Sequence, residues 1–518
     1  MAHRVAKVLD KTMVDITFSH EQPASLVLVF LVFLATGFII HLYILEPLLY
    51  GRLSHIPGPR LASLSKYYLT YHDVSLRRNE TISQWHRTYG PVVRIRPNEV
   101  TLGNPNDYRE IYDTKSRYDK SKYFSRFVVY GEDNLFSTLK YADHQVMKRS
   151  IAAAYAKSNV VTKGEEMVRE RVDAFITAMT MEQKAHSVVD IFVLFDCFSH
   201  DVMTRFLYGQ KHGTDTLLSS QDRPLVVNLK RSQIWTPLWV NFPTLHTYWL
   251  GRQLLPKEYV KNGEYGADVT RRIESLMNAH DADKESKYEE MFSLYGHMSK
   301  GGKLNRNQMA SEMFDELKAG QMTTATTLTY VAWRLSRSPE WQDRLRSELS
   351  TLETDESGKL YLEDLESCPV LEAVIKETLR LHPAASGRQE RVVPLGGRTY
   401  SGVYVPEGTA VIGPTLVLHL DPDVYDQPLQ WRPERWLDAS EEEMKTLEYS
   451  FVPFGHGARV CIGQHLAMME IRLLIATIYR AYETRLGETA TDYEMHQLGT
   501  LAAVPRGLRC ELHVDRHS

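Results

Sequence analysis

Cysteine is scarce in this chain. Its four residues in 518, Cys197, Cys368, Cys461 and Cys510, are widely scattered and form no C-x-x-C pair. That argues against a zinc site, an iron–sulfur cluster or a disulfide framework, and it suits a reducing compartment. An excess of one charge is lacking too. The net charge of −4 gives no reason to expect nucleic acid as a partner. No Gly/Ser linker, low-complexity run or internal repeat divides the chain. With 43% hydrophobic and 24% charged residues the composition is that of an ordinary globular protein. The length admits several small domains, or one large domain with a tail.

One long apolar run is present, from Ala24 to Leu45, interrupted only by Ser25, Thr36, Gly37 and His41. About twenty such residues suffice for a helix to cross the hydrocarbon core of a bilayer. A cleaved signal peptide has a shorter apolar region and a small-residue cleavage site soon after it, whereas Glu46-Pro47-Leu48-Leu49 follows here. The expectation is an N-terminal tail over 1–23 and an uncleaved transmembrane anchor over 24–45, with a buried core helix as the bland alternative. Arg4, Lys7 and Lys11 precede the run and Arg52, Arg60 and Lys66 follow it, so basic residues leave its orientation open. Ile56-Pro57-Gly58-Pro59 then makes a helix-incompatible joint, placing a proline-rich hinge over 46–60 before a body over 61–518.

The most informative stretch is Phe454-Gly455-His456-Gly457-Ala458-Arg459-Val460-Cys461-Ile462-Gly463, followed by a helical-looking segment from Leu466 to Ala481. It offers one thiol among glycines that allow tight turns and close approach to a flat ligand. A thiolate is a nucleophile or a soft metal ligand. Arg459 can grip a carboxylate through two charge-assisted hydrogen bonds. A lone cysteine is more often a small buried hydrophobe, but these neighbours change the balance.

The stretch resembles the heme-binding loop of the cytochrome P450 family, Phe-x-x-Gly-x-Arg-x-Cys-x-Gly, at every fixed position: Phe454, Gly457, Arg459, Cys461 and Gly463. The resemblance implies a mainly α fold with small β-sheets behind a single transmembrane helix. It also implies heme b, with Cys461 as the proximal iron ligand and Phe454 packed over its sulfur. Thiolate ligation favours O–O cleavage. The hardest chemistry is then the heme's own, and the protein supplies ligand, orientation and proton delivery.

Other segments extend the resemblance. Leu64 to Tyr89 is helical in pattern, and Val92–Arg96 with Glu99–Leu102 reads as a hairpin whose first arm alternates. In Asp143 to Arg149, His144 and Lys148 stand where the family contacts a heme propionate, a solvated basic face being the alternative. Trp235, Trp239, Phe242, Tyr248 and Trp249 resemble a lid over the substrate channel, although aromatics at this density more often mean core. Asp281 to Asn307 reads as an exposed polar loop. Glu312 to Arg334 is the longest helical run, and Ala319-Gly320-Gln321-Met322-Thr323-Thr324 resembles the distal helix that crosses the heme. There Gly320 would admit dioxygen and Thr323 would hydrogen-bond it, with Ala319, Thr323 and Thr327 on one stripe. The chain departs from the pattern at Met322, where the family has an acid. A thioether carries no proton, so Gln321, Thr324 or ordered water would substitute, or the reaction depends less on a relay. Glu377 and Arg380, with Arg435 of Pro433-Glu434-Arg435, match the family's structural ion cluster beneath the heme loop. Arg391 stands where a second propionate ligand is common. The resemblance runs to near Arg480, and residues 485 to 518 fit terminal strands.

The expected activity is a heme-thiolate monooxygenase acting on a lipophilic small molecule with O2. The overall look is similar to fungal natural-product enzymes. No flavin or nicotinamide domain is recognisable. Electrons would therefore come from NADPH–cytochrome P450 reductase, with cytochrome b5 as a second donor. The expected location is the endoplasmic reticulum membrane, single-pass, with the catalytic domain facing the cytoplasm. Two alternatives remain open: desaturation, cyclisation or rearrangement without net oxygen insertion, which Met322 motivates, and a non-catalytic heme sensor or electron carrier. Asn79-Glu80-Thr81 is a glycosylation sequon that a cytosolic domain would leave unused.

Overall fold

The computed structural model describes residues 23–219, 221–245, 253–283 and 292–517. The chain forms two units, residues 1–55 and 56–518. In the first, helix α1 (Pro23–Ile40) continues as a wider π-helix over His41–Tyr50. Leu28–Tyr50 spans 23 residues, with a mean hydropathy of 2.5 over an 18-residue window, and none of it is buried. At ~1.5 Å per residue that length exceeds the ~30 Å hydrocarbon core. The helix outruns the apolar stretch because it passes through Pro47. A proline ring clashes with the carbonyl four residues back in a regular α-helix, and the wider turn carries the bond from Gly51 N–H to the Glu46 carbonyl instead.

The second unit is mainly helical. The segment that is helical in pattern from Leu64 to Tyr89 holds two helices, Lys66–Val74 and Arg78–Tyr89, and a short one, Arg60–Leu64, ends where it begins. Ser65 makes the first break, its hydroxyl accepting from Tyr67 N–H at 3.2 Å as an N-cap. Strands β1 (Val92–Arg96) and β2 (Glu99–Leu102) form the expected antiparallel hairpin. β1 does not alternate in burial, because helices cover it and its arginines find partners inside, Arg96 pairing with Asp73 at 2.7 Å. Pro57 accepts the Arg94 N–H at 2.8 Å, so this end of the proline-rich joint is packed on β1. β3 (Arg391–Val392) and β4 (Ala410–Ile412) complete a four-stranded sheet in the order β1-β2-β4-β3. A second sheet joins Val189–Asp190, Glu511–Arg516 and Tyr482–Leu486 near the C-terminus.

Helices α2 (Tyr141–Ile151), α3 (Lys157–Ala185), α4 (Ile191–Tyr208) and α5 (Arg223–Arg231) lead to α6 (Arg306–Arg337), which runs through the main core. A capping box starts α6: Asn305 accepts from Gln308 N–H and Gln308 accepts from Asn305 N–H. Its most extensive partner is α4. Gly320 makes that crossing possible, since a Cβ there would collide with the Met203 sulfur. Trp235 packs edge-on to Tyr259 and Trp239 edge-on to Phe127, while Tyr248 and Trp249 lie outside the described residues. The polar stretch expected as a loop contains a helix, Leu294–Gly301. Ser293 caps it, and the helix buries its own Leu294, Tyr295 and Met298, apolar residues too few to show in an otherwise polar run.

The loop before α8 (Gln464–Ala481) is held from α7 (Pro369–Leu381). Glu377, fully buried, accepts Arg380 Nε and Nη2 at 2.9 and 2.8 Å, Arg435 Nε at 3.1 Å, Trp436 Nε1 at 3.0 Å and Arg432 N–H at 2.8 Å. Arg380 spends its remaining donors on the carbonyls of His419, Pro428 and Gln430. His419 then bonds the Arg380 carbonyl through Nδ1 and receives Val452 N–H on Nε2, both at 2.9 Å. A carbonyl only accepts and an amide only donates, so the ring is neutral with its proton on Nδ1.

Two predictions follow from this network. Glu377→Gln keeps the shape but strands two buried guanidinium groups, so it should lower unfolding free energy by about 3–5 kcal/mol in denaturant titration. Burial, opposed by the Arg380 carbonyl, pushes His419 down to about 3. The unfolded chain therefore binds an extra proton between that value and the ordinary 6.5. The stability from neutral His419 is complete above about pH 6.5 and is lost as pH falls towards 3, at up to about 1.4 kcal/mol per pH unit. His419→Gln should remove about one proton's worth of that slope.

Candidate active site

Phe454 to Gly463 closes on itself through a 2.9 Å bond from Cys461 N–H to the Phe454 carbonyl. Gly457 has φ of 69°, and a Cβ there would strike the Tyr112 carbonyl. Phe454 packs against the main core. The chain enters α8 directly after Cys461, so the N–H groups of Gly463 and Gln464 point at its sulfur. Such donors favour a thiolate. Burial nevertheless pushes the thiol up to about 11. Bound directly to a metal ion, a thiol is deprotonated outright.

Cys461 opens into a cavity of about 1040 Å³, which also receives Phe454, Arg459, Gly463, His144, Lys148, Arg391, Gly320, Met322, Thr323 and Thr324. Ligand clefts span roughly 300–1,000 Å³, so there is room for a large group and a second molecule. Thr323 Oγ1 donates to the Ala319 carbonyl at 2.7 Å and Thr327 Oγ1 to that of Thr323 at 3.0 Å, and all three residues line the cavity. Gln321 is not brought to it. Its Oε1 meets His200 Nδ1 at 2.9 Å on α4, next to the buried Asp196–Lys230 pair at 3.2 Å.

The cationic residues gather at one part of the wall. Arg459 donates to the Thr138 and Leu139 carbonyls at 2.9 Å each, leaving a buried Nε without a partner among the described residues. Lys148 Nζ reaches the Ala458 carbonyl at 2.9 Å, and Arg391 donates to the carbonyls of Gln389 and Glu390. Lys120, which the sequence reading missed, forms a bridge with Arg391 across two chain segments and donates to the Phe136 carbonyl. None of the four forms an ion pair among the described residues. Burial and then the neighbouring cations Arg459, Lys120, Lys148 and Arg391 push His144 down to about 2, so its ring is neutral. A soft sulfur donor, a large cavity and clustered cations fit a metalloporphyrin with two carboxylates.

Two further acids in the wall were also missed. Glu316 accepts from Tyr155 Oη at 2.6 Å and is pushed up to about 7, mainly by burial and then by Asp315. Glu470 on α8 is pushed up by burial, with its Oε2 unpartnered among the described residues. The sequence held no local signal for either, because their significance is burial.

The cytochrome P450 family model matches residues 56–508. The chain belongs to the cytochrome P450 family. It is 34% identical to the cytochrome P450 monooxygenase FGM1 of Gibberella zeae, over 89% of this chain and 92% of that one. To monooxygenase stcB of Emericella nidulans it is 30% identical, over 89% and 88%. To monooxygenase cypX of Dothistroma septosporum it is 26% identical, over 98% and 99%. P450 monooxygenases use heme with a cysteine thiolate on the iron, together with O2, a redox partner and a small-molecule substrate. The one cysteine of this chain that faces the cavity is Cys461.

The loop glycines give a paired test. Gly455 and Gly457 both have positive φ, yet a Cβ at Gly455 meets nothing within 4 Å. Gly455→Ala should bear only the ~1–2 kcal/mol of left-handed backbone strain and retain heme. Gly457→Ala should yield protein largely without heme, read as the ratio of heme to protein absorbance.

Proposed function

We propose that this P450 hydroxylates or otherwise oxidises a lipophilic small molecule of fungal secondary metabolism, with electrons from NADPH–cytochrome P450 reductase and cytochrome b5 as a second donor. The observation that carries the reading is Cys461 opening into a cavity that also receives Gly320 and Thr323 of α6. In this reading residues 24–45 anchor the enzyme in the endoplasmic reticulum membrane, 46–60 form the joint, and the body faces the cytoplasm. Asn79 supports that side: its Nδ2, the atom a glycan would occupy, donates to Ser386 Oγ at 2.8 Å.

Cys461 ligates the iron. Arg459, Lys148, Arg391 and His144, joined by Lys120, hold the propionates by charge and hydrogen bonds. Phe454 shields the sulfur, and Gly463 leads the chain from Cys461 into α8. When bound, the heme supplies reductive activation of dioxygen and transfer of one oxygen atom to the substrate. The chain's own task on the distal side is to hold water and protons. Thr323 directs its hydroxyl proton to the Ala319 carbonyl, leaving the Oγ1 lone pairs for a donor in the cavity. Thr324 lines the same wall. Gln321 acts from behind, locking α6 to α4 through His200. Met322 is 2% exposed and apolar where a proton donor is usual. That observation favours a second reading, in which the enzyme desaturates, cyclises or rearranges its substrate without inserting oxygen. Isotope-labelled O2 separates the two, since label enters the product only in the first.

Cys461→Ser should abolish the red-shifted band of the reduced, CO-treated protein. An unaltered band would overturn the reading. Met322→Asp should raise the fraction of NADPH consumption that ends in product, and the rate of product formation by roughly 10²-fold, if proton delivery limits turnover. Unchanged coupling would show that Thr323 and water suffice.

A further inference from the structure

The cations in the cavity wall are almost all spoken for. Lys120, Lys148, Arg391 and Arg459 donate to backbone carbonyls, and Arg388 pairs with Glu390 and Glu99. Lys318 of α6 differs. It lines the same cavity, yet it makes no hydrogen bond or ion pair among the described residues, and its ammonium sits 5.2 Å over the Phe314 ring. The wall around the cavity is otherwise rich in apolar groups, among them Phe124, Phe127, Phe136 and Trp239. Lys318 is half-buried, and its neighbouring carboxylate, Asp315, is shared with Lys120, so an ammonium desolvated by a ligand in this cavity is costly unless it meets a further counter-charge.

We propose that the substrate carries a carboxylate on a largely apolar skeleton, and that Lys318 is the specificity-determining residue that holds it. The proposal rests on the heme-thiolate reading of the cavity. Lys318 precedes Thr323 by five residues, about 7.5 Å along the helix axis, so the carboxylate would lie several bonds from the carbon that reacts. The opposite sign, a substrate ammonium on Asp315, is disfavoured. Asp315 already accepts the Phe136 N–H and has Lys120 and Lys318 as neighbours. A second unpaired cation, Arg126, also lines the cavity. Burial lowers the pKa of Lys318 while Asp315 opposes it, and a bound anion would add to that opposition.

The test uses the full-length holoenzyme and ω-(imidazol-1-yl)alkanoic acids of increasing chain length, each beside its methyl ester. The imidazole binds iron and shifts the heme band whatever the natural substrate is, so the tail alone reports on the wall. At one or more lengths the acid should bind at least about tenfold tighter than its ester, the scale of a charge-assisted hydrogen bond. Lys318→Met should bring that ratio to about one while leaving ester and plain imidazole affinities unchanged, and Lys318→Arg should restore part of it. Equal binding of acid and ester at every length, or an acid preference that survives Lys318→Met, overturns the proposal. Loss of the imidazole shift and of the reduced-CO band in the wild type would instead remove the heme-thiolate reading beneath it.

Discussion

The fold must hold a sulfur anion rigidly inside a medium that disfavours charge. Burial drives the Cys461 thiol towards its neutral form, and the N–H groups at the start of α8, joined in the proposed role by a bound iron, oppose that preference. The loop therefore cannot be left to its own stiffness. It is pinned through a chain of contacts from Glu377 to Arg380, on to His419, and then to Val452, two residues before Phe454. Every link is a hydrogen bond whose partners are buried, and each link fails expensively because no water stands ready to replace it.

The cavity wall sorts charge by location. Lys120, Lys148, Arg391 and Arg459 come from four separate chain segments and meet at one part of the wall, the place proposed for the heme propionates. A β-bridge between Lys120 and Arg391 and the hydrogen bonds of Arg459 to the segment before α2 bring them together. Away from that cluster the wall mixes apolar groups such as Phe124, Phe127 and Trp239 with the threonine stripe of α6, Asp315, Lys318 and a few other polar side chains. That division explains how one continuous space can hold a dicarboxylate cofactor and still discriminate among organic molecules.

The parts legible in the sequence were those whose meaning is local. The loop around Cys461 declares itself by spacing within ten residues, and the apolar N-terminal run by length. The hairpin of β1 and β2 and the helix α6 declare themselves by turn residues and period. Glu377, Arg380 and Arg435 were readable because resemblance supplied the pairing that distance along the chain concealed. Gln321, offered as a substitute in the proton relay, does not line the cavity, because helical geometry turns it away from Thr323: residues two apart do not share a face. Lys120, Glu316, His419 and Lys318 carried no signal at all. Their roles come from burial and from partners tens or hundreds of positions away.

Gly320 and Met203 set how this cavity can adapt. The two helices cross as closely as backbone and thioether allow, so neither can shift without the other. The part that yields is the methionine, an unbranched, polarisable side chain with three rotatable bonds. A bulkier guest would therefore be met by side-chain rearrangement at the α4–α6 crossing, with the register of the threonine stripe left undisturbed.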